Sequence, residues 1–242
     1  MVFRLDSNCD LQWSKIIDTA NDWQNDGYGN SIDLTADGGY ILFGYSGPNG
    51  SSTQESVYLI KVDNNGNEEW RNIHTISDQG TTGDNTTVKY GLVADDGGFV
   101  WVGGIGTDPL YGTAEKHYIR KSDNTGNTIW TKYFDDVTLS SVDKTYDGGY
   151  ILLGTKGGDG DGKYWLSKID GNGDEIWTYE YASGNSGTHA GYSVDEANDG
   201  GFIIFGTTTS FGQGNKDFWL IKTDPQGQEA WNQTFGGAGD DL

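Results

Sequence analysis

The sequence predicts an all-β chain, a β-propeller of four-stranded antiparallel blades, with four complete blades preceded by a two-stranded partial blade. Three observations predict it. First, one unit is spelled out four times. It reads Asp-Gly-Gly-aromatic, three apolar residues, Gly, a variable stretch, then Lys-x-Asp-x-x-Gly-x-x-x-Trp. The copies start at Asp37, Asp96, Asp147 and Asp199 and end at Trp70, Trp130, Trp177 and Trp231. A period of about 50 residues is that of an array in which each copy is one supersecondary unit. Second, each copy holds two glycine turn signals between apolar runs, which resolves it into four hairpin-linked strands. Third, a headless copy opens the chain, from Arg4 and Asp6 to Trp13, with Cys9 where the turn glycine should be.

The strands, labelled A to D along each copy, follow from local pattern. Strand B is the clearest: Tyr40-Ile-Leu-Phe-Gly44, Phe99-Val-Trp-Val-Gly103, Tyr150-Ile-Leu-Leu-Gly154 and Phe202-Ile-Ile-Phe-Gly206. A continuous apolar run of that length suits a strand buried on both faces. Asp-Gly-Gly before it supplies the positive-φ positions of a tight turn, so a strand A must precede it. Those strands begin at Ser31, Lys89, Ser141 and Tyr192 and are small and polar, as suits the lining of a narrow channel. Strand C starts at Val57, His117, Tyr164 and Phe218, and strand D contains the closing tryptophan. Radial repetition of such sheets gives a propeller. A β-solenoid is the second choice, disfavoured by the long period and the dominance of hairpin turns.

The chain reads as a single domain over 1–242. It comprises a partial blade at 1–17, blades at 30–75, 87–135, 139–182 and 190–235, and the start of a further strand at 236–242. Two strands plus four blades do not make a whole number of blades. An excerpt of a longer array is the favoured explanation. A five-bladed ring with a depleted closing blade, and a four-bladed ring or inter-chain assembly, are the others. Open blade edges would permit self-association.

Composition narrows function by exclusion. The formal net charge is −21 with only 15 basic residues, which argues against nucleic acid and anionic membrane surfaces. An aromatic content of 13% argues against disorder. No stretch is apolar enough to insert in a membrane. One cysteine forbids an intrachain disulfide. The sequence from Met1 shows no basic segment leading into an apolar one, so any export signal lies outside this chain. Composition suits an extracellular or cell-surface protein of bacterial or archaeal type.

The string Asp123-Asn-Thr-Gly126-Asn-Thr-Ile-Trp130 resembles the tryptophan-docking motif of quinoprotein-like propellers, in which a rim tryptophan packs between neighbouring blades. The fuller unit, Trp219-Leu-Ile-Lys222-Thr-Asp224, Gly227, Trp231 and Phe235-Gly-Gly-Ala-Gly-Asp-Asp241, resembles repeats of bacterial surface propellers. The likeness covers nearly the whole chain. It implies an architecture and no particular activity, because one fold hosts many functions. Quinoprotein redox chemistry does not carry over, since the vicinal cysteine pair often found there is absent.

Residues in every copy build the copy. The Asp-Gly-Gly acids Asp37, Asp96, Asp147 and Asp199 and the tryptophans Trp13, Trp70, Trp130, Trp177 and Trp231 are therefore structural. So are Lys61/Asp63, Lys121/Asp123, Lys168/Asp170, Lys222/Asp224 and Arg4/Asp6, read as charge pairs or turn caps. The A–B and C–D turns are short and constant and share one face. The B–C and D–A connections share the other and vary: 17, 18, 14 and 16 residues from the post-strand glycine to the strand-C lysine, and 24, 26, 17 and 22 from tryptophan to the next Asp-Gly-Gly. Variable loops on a fixed scaffold are where binding sits.

On that face the candidate ligand-binding residues are Trp23, Asp26, Tyr28, Tyr111 and Phe211. Aromatic faces stack on sugar C–H surfaces while acids accept hydroxyl hydrogen bonds. Asp159 and Asp161 are the candidate metal ligands, within Asp159-Gly-Asp-Gly162. This is not an EF-hand, because Tyr164 stands where glycine is required. Asp170-Gly-Asn-Gly-Asp174 reads as a plain C–D turn. His74, His117 and His189 lack metal-ligand spacing and read as solvated residues in or beside loops. No cofactor is implied, although Ca2+ is compatible. The leading expectation is a non-catalytic interaction or scaffold propeller of a secreted or surface protein, with a protein or glycan ligand. A carbohydrate-binding propeller and a glycan-active enzyme with carboxylates at the channel mouth are the alternatives.

Overall fold

The structure, a computed structural model, describes residues 1–17, 27–46, 56–74, 85–106, 116–157, 162–182, 187–213 and 215–241. All regular structure among them is β-strand. In chain order the strands are β1 (Val2–Leu5), β2 (Leu11–Lys15), β3 (Gly27–Leu34), β4 (Tyr40–Ser46), β5 (Ser56–Val62), β6 (Glu68–His74), β7 (Asn85–Val93), β8 (Phe99–Gly106) and β9 (Lys116–Ser122). There follow β10 (Thr128–Phe134), β11 (Val137–Lys144), β12 (Tyr150–Lys156), β13 (Lys163–Ile169), β14 (Glu175–Tyr181), β15 (His189–Glu196), β16 (Phe202–Thr208), β17 (Asp217–Thr223) and β18 (Glu229–Phe235). They form a β1-β2 hairpin and four four-stranded sheets, β3 to β6, β7 to β10, β11 to β14 and β15 to β18, each in sequential order. This is the predicted set of four blades and a two-stranded partial blade.

The A strands start earlier than apolar alternation suggests, at Gly27, Asn85, Val137 and His189. Each carries a bulge, between Gly29 and Ser31, Val88 and Tyr90, Leu139 and Ser141, and Gly191 and Ser193. A bulge reverses the inside–outside alternation, so a period-two reading loses the strand there.

Both glycine turns are enforced by sterics. In Asp-Gly-Gly only the first glycine has positive φ, between 79° and 83°. The second is needed for room: a Cβ on Gly39, Gly98, Gly149 or Gly201 would strike the strand-C carbonyl of Val62, Ser122, Ile169 or Thr223. The expectation of two positive-φ positions is corrected accordingly. In the C–D turn, Asp63 Oδ1 accepts the backbone N–H groups of Asn65 and Asn67, both at 2.8 Å, and Gly66 has φ +76°. Cys9 takes this glycine's place in the partial blade and adopts φ +67°.

The lysine of Lys-x-Asp does not pair with the aspartate two residues on. It reaches back to the Asp-Gly-Gly acid instead: Lys61–Asp37 2.9 Å, Lys121–Asp96 2.7 Å, Lys168–Asp147 2.6 Å and Lys222–Asp199 2.7 Å. The nearly buried ammonium thereby ties strand C to the A–B turn. The carboxylates of Asp37, Asp96, Asp147 and Asp199 are all held below their usual range; at Asp37 the Thr35 hydroxyl is the largest cause, with Lys61 next. The second aspartate of the motif caps its own turn.

The residues fall into two compact units, Met1–Glu115 with Arg120–Ile129, and Lys116–Ile119 with Trp130–Leu242. Within each, consecutive blades meet in the same way. In the first unit β7 packs on β3, β4 and β5. Phe43 lies where a Gly91 side chain would be, Gly91 N–H donates to Ser31 Oγ at 2.9 Å, and Val93 N–H donates to Asp33 Oδ2 at 2.7 Å. In the second unit β15 packs on β11, β12 and β13, with Leu153 against Gly191.

The tryptophans make the second inter-blade contact. Trp13 lies over Gly66, Trp70 over Gly126, Trp130 over Gly173 and Trp177 over Gly227, each the C–D turn glycine of the following blade. Each indole also packs against the aromatic that follows Asp-Gly-Gly there: Tyr40 at 6.4 Å, Phe99 at 5.8 Å, Tyr150 at 6.4 Å and Phe202 at 5.6 Å between centroids. Trp13 and Trp130 add an Nε1–H hydrogen bond to a turn carbonyl, of Asn64 at 3.0 Å and Gly171 at 3.2 Å. Among the described residues Trp231 has no such cover, and it is 46% exposed.

This difference gives a direct test. Trp130→Ala is expected to cost roughly 3–5 kcal/mol, the range for truncating a packed aromatic. Trp231→Ala should cost about 1 kcal/mol or less, as for a surface position. Urea denaturation of both variants measures it, and equal losses would show that the turn contact is not what stabilises the tryptophan.

Candidate functional site

Of the sequence-derived site residues, Tyr28 and Phe211 lie within the described structure. Trp23, Asp26, Tyr111, Asp159 and Asp161 lie outside the described residues. The two that are described sit at the variable-loop ends of their blades, in different units.

Tyr28 is on β3, directly across from Tyr45 on β4. Their rings stack at 5.1 Å with an interplanar angle of 24°. Directly opposed aromatics on an antiparallel pair are within stacking distance and fix each other's orientation. Tyr28 stays 48% exposed, so the pair presents a flat, pre-oriented aromatic face. Tyr45 was not foreseen. The signal for it was its position just after the strand-B glycine, where the other copies have Gly104, Thr155 and Thr207.

Phe211, 39% exposed, belongs to the connection between β16 and β17. Its ring lies 5.4 Å from Trp219 and 6.5 Å from His189. Beneath it Trp219 packs on His189 at 5.0 Å and on Tyr164 at 4.8 Å. Trp219 Nε1 donates to Asn232 Oδ1 at 3.1 Å, and the Tyr164 hydroxyl donates to the carbonyls of Thr207 and Trp219 at 3.3 and 3.4 Å. Burial pushes the Tyr164 phenol far above its ordinary range. Phe211 is thus the outer leaf of a packed aromatic stack.

His117 and His189 are core residues and His74 is half-buried, which corrects the solvated reading. His189 and His117 are buried, at 1% and 4% exposure. His117 Nδ1 accepts the Leu139 backbone N–H at 3.2 Å. Ser210 Oγ stands 3.5 Å from His189 Nε2, at the outer limit of a hydrogen bond, and the ring is held by aromatic packing rather than oriented for catalysis. His74 ends β6 and packs on Trp101 at 5.1 Å, and its Nε2 is buried without a hydrogen-bond partner. Each histidine falls at a strand end that meets a neighbouring blade, a position that local sequence cannot distinguish from a loop.

Burial, with the Arg120 charge, pulls the His74 pKa down to about 4. The reverse applies at Asp143 on β11. Burial, then the neighbouring Asp195 carboxylate on β15, pushes its pKa up to about 6. The Asp195 carboxylate is near enough to disfavour charge on Asp143, so the two acids act on each other as a pair. They also lie toward the Asp-Gly-Gly end of their strands, away from the variable loops.

Asp170-Gly-Asn-Gly-Asp174 is the plain turn expected, with Asp170 Oδ1 accepting the N–H groups of Asn172 and Asp174 at 2.9 Å and Asp174 pairing with Lys132 at 2.8 Å. Among the described residues no group of three or more His, Cys, Asp or Glu side chains has metal-binding geometry. Sequence reading passed over Asp217, which stands where the other strand-C copies begin with Ser56, Lys116 and Lys163.

The two shifted groups predict opposite pH responses. Folded His74 binds its proton less readily than the unfolded chain, so its contribution to stability is present above pH 6.5 and lost as pH falls toward 4. His74→Phe should remove that loss, worth roughly 1–2 kcal/mol after allowing for partial solvent screening. Folded Asp143 holds its proton more tightly, so stability is greatest below the unfolded carboxylate range and falls as pH rises through about 6. Asp143→Asn should therefore stabilise by roughly 1 kcal/mol at pH 8 and by nothing at pH 4. Urea denaturation of each variant across this range reads both signs.

No protein-family model matches the sequence, and no curated protein is similar to it in sequence. Among solved structures the chain superposes on the Dos1 propeller with a TM-score of 0.62 at 12% identity, over 97% of this chain and 53% of that one. A crystal structure of the eukaryotic initiation factor aligns with a TM-score of 0.36 at 11% identity, over 86% of this chain and 55% of that one. The chain spans about half the length of the structures it matches. At this identity the first likeness is one of fold, and with the four sheets it shows a β-propeller of four-stranded antiparallel blades.

Proposed function

We propose that this propeller is a non-catalytic interaction module of a secreted or cell-surface protein, binding through its variable-loop face. The observation that carries the reading is the division of labour among side chains. The recurring charges and aromatics are spent on turn ion pairs and inter-blade packing, whereas Tyr28 and Phe211, which do not recur, present aromatic surface at the loop ends. The contacts of indole on turn glycine support grouping the chain with tryptophan-docking propellers of bacterial surface proteins. A net charge of −21 supports a partner that is cationic or uncharged.

A second reading, binding of neutral carbohydrate, is favoured by the stacked and exposed Tyr28–Tyr45 pair. A flat aromatic face fixed in advance loses little conformational freedom when a sugar ring settles on it.

A photo-crosslinking residue at position 28 or 211 is expected to capture the partner, and one at Tyr146, exposed at the A–B turn end, is expected not to. Equal capture from all three would remove the loop-face assignment. On a glycan array, Tyr28→Ala is expected to weaken binding roughly tenfold or more, as for an aromatic anchor. Binding that survives the change would sink the carbohydrate reading at this pair.

A further inference from the structure

Asp217, the first residue of β17, is 1% exposed, and both of its carboxylate oxygens are buried without a hydrogen-bond partner among the described residues. A buried carboxylate with neither donor nor counter-charge is costly enough that native structures supply one. A second carboxylate is aimed at the same place. A Cβ added to Gly236 would collide with both Asp217 Oδ1 and Asp241 Oδ2, so the two acids converge there. Asp241 Oδ2 accepts only the Gly237 N–H, at 2.7 Å, among the described bonds. On the other side, a Cβ on Gly212 would collide with Asp217 Oδ2. Glycine at both positions thus lets the backbone lie close against the carboxylate where any side chain would displace it, and one of them, Gly212, has φ +99°.

We propose that Asp217 and Asp241 form a calcium-binding site that clamps the segment after β18 to the start of β17. Hard cations take carboxylate oxygens, and calcium accepts an irregular set that includes a bidentate aspartate, whereas magnesium demands near-octahedral geometry. With two acids, the remaining ligands are carbonyls and water, which places the site in the weak class of extracellular modules, about 10⁻⁴–10⁻³ M. The backbone is already arranged for such a clamp. Asp241 N–H donates to Lys216 O at 2.7 Å, and Lys216 and Asp240 form a parallel bridge. Asp217 has no counterpart acid in the other strand-C copies, so the site is particular to the last blade. It is also separate from the acidic turn at Asp159 and Asp161.

The test uses the full chain stripped with chelator. Calcium at about 10 mM is expected to raise Tm saturably, with half-effect near about 1 mM or below. Terbium should bind with luminescence sensitised by Trp219, two residues along the same strand face, and calcium should displace it. Asp217→Asn should abolish both responses, and Asp241→Asn should weaken them tenfold or more. Asp159→Asn with Asp161→Asn should leave them unchanged. If Asp217→Asn does not fold, the Asp241 variant and the calcium–terbium competition decide. An absent response, one equalled by magnesium or by matched sodium chloride, or one retained in the Asp217 and Asp241 variants would overturn the site.

Discussion

The contact on which the rest of this structure depends is an indole ring packed on the turn glycine of the following blade. It explains two otherwise separate features of the repeat. The turn glycine must lack a side chain, because Trp13, Trp130 and Trp177, with Lys132 and Tyr179, crowd that space at Gly66, Gly173 and Gly227, and Asn72 beside Trp70 fills it at Gly126. Its positive φ, 76° to 85°, excludes most other residues on backbone grounds as well. The residue after Asp-Gly-Gly is aromatic because it packs against the same indole. One turn and a strand start are therefore tied to one contact.

The lysine–aspartate pair does the complementary job inside a blade. Lys61 is nearly buried, and alone it would be expensive to desolvate. Its carboxylate partners, Asp37 at 2.9 Å and Glu69 at 2.7 Å, offset that cost and fix how strand C meets the A–B turn. Since the aspartates are more exposed than the lysines, the pair serves as a positional lock more than as a source of net stability.

What recurs in the sequence was legible, because repetition averages out local ambiguity. Four copies of Asp-Gly-Gly-aromatic place β4, β8, β12 and β16 correctly, and the repeat alone marks Cys9 as a turn residue, in keeping with its φ of +67°. What depends on spatial partners was not. The bulges in the A strands hid their first residues, and the histidines were misjudged because their burial comes from a neighbouring blade. Lys61 was linked to Asp63 by proximity in sequence, although its ion pair is 24 residues back. In the candidate site, Tyr28 and Phe211 were found as non-recurring aromatics. Tyr45 and Asp217 were missed, because only strand pairing and burial reveal a stacked partner or a stranded carboxylate.

The tryptophan contact always points the same way, from one blade to the turn of the next in sequence. An array built so has a direction. On the ribosome, a blade would emerge with its indole bare and be sealed only when its successor's C–D turn had been made. Trp231, which no later turn covers among the described residues, keeps its ring half in solvent. Assembly by this contact is a ratchet that closes each blade one repeat late, so the newest edge is always the least protected one.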